Sequence, residues 1–137
     1  MKKRPTIVMV LAFLGVCFLM SACTRQQVSH PAGAGDTGRY VLVSVNGNDV
    51  PASVSHGGVS VKVNSGIFEI NADGTCSSKT VFMPPSGSEI EREVAATYKR
   101  DGSTLTMKWE GAGMTIGTIE GRTFTMDNEG MVFVYRK

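Results

Sequence analysis

Residues 94–109 read VAATYKRDGSTLTMKW, and the period of this stretch decides the fold. Val94, Ala96 and Tyr98 alternate with Ala95, Thr97 and Lys99. After Asp101-Gly102, Leu105, Met107 and Trp109 alternate with Thr104, Thr106 and Lys108. A period of two sends successive side chains to opposite faces, so each half reads as a strand with one apolar face. Asp-Gly between them suits a tight turn, because such turns need the positive φ that glycine accepts. The stretch predicts a β-hairpin.

The same pattern runs outward in both directions. Toward the C-terminus, Gly-containing turns at 110–113, 121 and 128–130 separate runs over 114–120, 123–126 and 131–135, with Phe124 and Met126 alternating with Thr123 and Thr125. Toward the N-terminus, residues 40–45 are rich in β-formers and end at Asn46-Gly47. Val59, Val61 and Val63 then alternate with Ser60 and Lys62. Asn64-Ser65-Gly66 is expected to turn the chain into 67–70, and Asp73-Gly74 into a strand over 75–82. Residues 83–88 form the longest polar loop. Helical periodicity is missing throughout. Eight or nine short strands at roughly ten-residue spacing predict an all-β domain over residues 38–137, an up-and-down antiparallel β-barrel. Closure would remove exposed strand edges.

The N-terminal part reads differently. Lys2, Lys3 and Arg4 precede an apolar stretch of about 17 residues, at the short limit for spanning a bilayer and typical of a secretory signal. It ends in Met20-Ser21-Ala22-Cys23. Small residues directly before a cysteine look like a bacterial lipobox, which makes residues 1–22 a lipoprotein signal peptide and Cys23 the lipid-bearing first residue. A plain secreted protein or an uncleaved anchor is the alternative. More than one acyl chain anchors stably, since each buried methylene contributes about 0.8 kcal/mol. Thr24 resembles the residue of outer-membrane-sorted lipoproteins, so the expected location is the cell envelope, at the outer membrane facing the periplasm in a Gram-negative host. Residues 23–37 read as a lipidated flexible tether. The fourteen residues 24–37 would span roughly 20 Å.

That assignment reorganises charge and cysteine use. The chain carries 14 Lys and Arg against 12 Asp and Glu, but three of the basic residues lie ahead of Cys23. The rest is nearly neutral, with its basic residues scattered, so nucleic acid is not an expected partner. Cys17 leaves with the signal and Cys23 takes the lipid, which leaves Cys76 with no intrachain disulfide partner.

Residues 38–51, GRYVLVSVNGNDVP, resemble the opening strand of bacterial lipocalin-like domain lipoproteins, where an aromatic residue and Leu precede Ser-x-Asn-Gly and a Pro. Asp73-Gly74-Thr75, the turn Trp109-Glu110-Gly111-Ala112-Gly113 and the closing aromatic strand resemble the same family. The resemblance implies a barrel that holds a small apolar molecule; the chain lacks room for the helix of full-length lipocalins. The inward set includes Tyr98, Leu105, Met107, Trp109, Phe124, Met126, Phe133 and Tyr135. An eight-stranded barrel is just wide enough to be filled by such side chains or to hold one small ligand, and their bulk favours filling. Tyr98, Met107, Trp109, Phe124 and Met126 are the candidate ligand-binding residues.

Other chemistry finds little support. Core filling accounts for Met107 and Met126, and no Cys/His pair has metal-ligand spacing, so neither a metal nor another cofactor is expected. Cys76 reads as a buried inert thiol. His56 sits between Ser55 and Gly57-Gly58 and reads as a solvated loop residue, and no nucleophile elbow is present. Catalysis is not expected. Two functions remain: a lipid-anchored barrel binding a small hydrophobic molecule, or a filled barrel acting through protein contacts, as an envelope assembly factor or periplasmic enzyme inhibitor, by residues 24–37 or 83–88.

Overall fold

A computed structural model describes residues 35–137. The expected signal peptide, Cys17 and the lipidation site Cys23 lie outside the described residues. The described chain is all-β. Its strands are β1 (Gly38–Val45), β2 (Asn48–Asp49), β3 (Ala52–His56), β4 (Val59–Ile70), β5 (Thr75–Met83), β6 (Ile90–Asp101), β7 (Thr104–Trp109), β8 (Met114–Glu120), β9 (Thr123–Asn128) and β10 (Met131–Arg136). From β4 to β10 each strand pairs antiparallel with the next. β1 then closes the ring between β10 and β4. The result is an up-and-down antiparallel barrel of eight strands with β2 and β3 added. The hairpin expected over residues 94–109 is β6–β7, in register from Ala96 opposite Trp109 to Asp101 opposite Thr104.

The ring is not uniform along its axis. β1 pairs with β4 only from Gly38 opposite Ile70 to Val41 opposite Ile67. Beyond that point both strands are irregular: the β1–β10 register shifts between Leu42 and Ser44, and the β4–β5 register between Val63 and Ser65. A bulge bends its strand and increases local twist. The two strands part here, and the β2–β3 segment fills the gap. β2 pairs with the end of β1, and β3 with the first half of β4. One end of the barrel is therefore an eight-strand ring, while the other is widened by a wedge. Gly66 stands at the fork, where an added Cβ would lie 3.0 Å from Leu42.

Two local expectations are corrected. Asn64-Ser65-Gly66 is not a turn: Val59–Ile70 is one twelve-residue strand, and the polar triplet lies at its bulge. Ser55 and His56, read as loop, belong to strand β3, because Ala52 and Val54 face inward and pair across from Val63 and Val61. The Asn46-Gly47 turn is as expected, with both residues at positive φ (51° and 78°).

The eight-stranded end is packed solid. Tyr40, Phe68, Leu105, Met107 and Phe124 are completely buried there. Phe124 lies 4.4 Å from Phe68 between ring centroids, with Tyr40 edge-on to it at 6.1 Å. Inward Gly117 leaves the room that the Phe124 ring occupies. The outer face of β5 and β6 carries Lys79, Glu91, Glu93 and Lys99, unlike the apolar belt of a membrane-spanning barrel.

Candidate functional site

The wedge end is hollow. Inserting β2–β3 widens the ring beyond what its side chains fill, and a cavity of about 450 Å³ opens there. One wall is apolar, from Val54, Val61 and Val63 on β3 and β4 and from Met126, Met131 and Phe133 on β9 and β10. Trp109 also lines it. The indole is held in place: its Nε1 donates to Thr115 Oγ1 at 2.9 Å, and its ring meets Phe68 edge-on at 6.2 Å.

A polar stripe runs down another wall. Ser78 and Thr80 occupy inward positions of β5, since they alternate with outward Ser77 and Lys79 and stand opposite Phe68 and Gly66. Arg92 on β6 faces Thr80 across the ladder and lines the cavity near its mouth. At the inner end lies Tyr135, wholly buried, whose ring packs on Phe68, Phe124 and Phe133. Burial pushes its phenol up to about 12, and Ser78 eases that shift. No hydrogen bond of normal geometry reaches the Tyr135 hydroxyl. A buried unpaired hydroxyl costs roughly 1–3 kcal/mol, so it is an unusual feature of a cavity floor.

His56 and Glu129 meet at the rim. His56 Nε2 lies 3.2 Å from Glu129 Oε2, linking β3 to the β9–β10 turn across the mouth. Glu129 has φ of 53°, a left-handed conformation that costs a non-glycine residue about 1 kcal/mol. His56 is exposed, but it is a rim residue of a strand and not part of a loop.

The five candidate ligand residues divide between the two ends. Trp109 and Met126 line the cavity. Met107 and Phe124 are sealed in the solid end, and Tyr98 is buried there with its hydroxyl donated to Asn71 O. No known protein family, curated protein or solved structure matches this chain. Period-two reasoning identified inward residues but not their depth, so it missed Arg92, Ser78, Thr80 and Tyr135 as a group. Arg92 was legible in one respect: it lies between Ile90 and Val94 at the period of the inward face. Cys76 also faces inward, 2% exposed, and desolvation pushes its thiol up to about 12.

The N-terminal segment meets the barrel at the opposite end. Asp36 forms an ion pair with Arg100, Tyr40 Oη donates to Asp36 O at 2.8 Å, and Lys137 Nζ donates to the Gly35 and Thr37 carbonyls. The last residues of the expected tether are thus fastened to the solid end.

Proposed function

We propose that the chain is a lipid-anchored envelope lipoprotein of the lipocalin-like class, lipidated at Cys23, whose barrel carries one small apolar molecule without transforming it. The observation that carries this reading is the cavity at the wedge end. Its volume falls within the about 300–1,000 Å³ of small-molecule sites, and mostly apolar walls with a few placed polar groups are their usual chemistry. Anchoring adds an orientation. A chain attached through Cys23 enters at Asp36, on the solid end, so the cavity would open away from the membrane. In a Gram-negative envelope the mouth would then face soluble periplasmic cargo and not the anchoring bilayer.

Native mass spectrometry of protein isolated from its producing cells tests both parts. A polypeptide beginning at Cys23 with a lipid adduct is expected, together with a small apolar molecule released on denaturation. An unlipidated chain retaining residues 1–22 would refute the anchor. An empty barrel that also fails to take up an added apolar probe would refute the carrier.

A further inference from the structure

The cavity is two-faced, and the arginine at its mouth has no counter-ion. Arg92 lines the mouth from an inward position on β6. It makes no ion pair among the described residues; Lys79 takes Glu91, and the rim carboxylate Glu129 is taken by His56. Beneath Arg92, Thr80 and Ser78 continue the polar stripe to the Tyr135 hydroxyl, which Ser78 approaches without a full hydrogen bond. The facing wall is mainly apolar, from Val54, Val61, Met126, Met131 and Phe133, with the exposed Asn128, Glu129 and His56 as its polar members. A wholly apolar ligand would leave this stripe dehydrated and unpaired. That is costly, because a buried polar group without a partner loses the water it had.

Resting on the carrier reading above, we propose that the cargo is an amphipathic carboxylic acid. Its carboxylate meets the Arg92 guanidinium at the mouth, and its apolar body lies against the Met126–Phe133 wall. Arginine suits this task because its planar fork binds a carboxylate through two charge-assisted hydrogen bonds. Thr80 and Ser78 accept or donate to polar substituents along one edge of the ligand, and a substituent reaching the floor completes the hydrogen bonding of Tyr135. The single tryptophan of the chain stands in the cavity wall, so its emission reports occupancy.

The test titrates the full chain, in detergent held at one fixed concentration, with decanoate and with decanol, following Trp109 fluorescence at a pH well above the carboxylic acid range. Partition of each probe into micelles is the same for every protein, so the decanoate-to-decanol affinity ratio is compared between wild type and Arg92→Gln. The expected result is at least a tenfold fall in that ratio in Arg92→Gln, with decanol binding kept. An unchanged ratio while both probes bind overturns the carboxylate assignment and leaves the carrier reading standing. If neither probe perturbs Trp109 in the wild type, the carrier reading itself fails. Arg92→Lys, which keeps the charge but loses the fork, should fall between the two.

Discussion

Gly117→Ala is a small substitution with a large expected penalty. Gly117 faces inward on β8, and its φ is not in the left-handed region, so any effect is steric. An alanine Cβ would stand 2.4 Å from Phe124 Cε2 and 2.7 Å from Cζ, with Met107 Cε at 3.2 Å. Carbon atoms prefer about 3.5–4.0 Å, so the ring would have to retreat by about 1 Å. It has nowhere to go, with Phe68 at 4.4 Å, Tyr135 at 5.8 Å and Tyr40 at 6.1 Å between ring centroids. Overpacking of a filled core costs about 1–3 kcal/mol. Replacing glycine returns about 0.4–1 kcal/mol by restricting the unfolded chain. The net expectation is a loss of about 1–2 kcal/mol, or roughly 5–15 °C in Tm for a domain of this size. Urea unfolding followed by Trp109 emission and by far-ultraviolet circular dichroism measures it. Phe124→Leu supplies the decisive control, since a smaller side chain should absorb the new methyl and relieve most of the penalty in the double variant. A Gly117→Ala protein as stable as wild type, or a penalty that Phe124→Leu leaves intact, would refute a solidly packed eight-strand end.

Other consequences follow from the buried titratable groups. Tyr135→Phe removes a buried hydroxyl that no full hydrogen bond satisfies and should leave stability at neutral pH unchanged or raise it by about 1 kcal/mol in urea titrations. In the wild type the Tyr135 proton is held more tightly folded than unfolded. Its contribution is therefore complete below about pH 10 and is lost as pH rises to about 12, by about 3 kcal/mol; Tyr135→Phe should flatten that alkaline fall. Cys76, with its thiol pushed up to about 12, should resist a thiol reagent at pH 8 in the folded protein and react at once in denaturant.

The period-two pattern of residues 94–109 and its continuation made most of the barrel legible, because a half-buried strand writes its buried face into every second residue. The polar triplet Asn64-Ser65-Gly66 misled for a physical reason. Turn-forming residues also suit a bulge, and only pairing with β5 on one side and divergence from β1 on the other distinguishes the two. β3 was hidden because Ser53, Ser55 and His56 dilute its two inward apolar residues. The cavity was illegible for a related reason. Alternation tells inside from outside but carries no information on level along the axis, so Met107 in the solid end and Met126 in the cavity wall look alike in sequence. The hollow arises from where β1 and β4 separate, a property of three strands together.

A titration with N-phenylnaphthylamine tests directly whether the barrel is solid at one end and hollow at the other. Energy transfer from Trp109 to the probe should saturate at one probe per chain, and Val94→Phe, which places a ring in the cavity, should abolish it while the protein stays folded. Absence of saturable transfer in the wild type, or transfer undiminished in Val94→Phe, would contradict a hollow mouth.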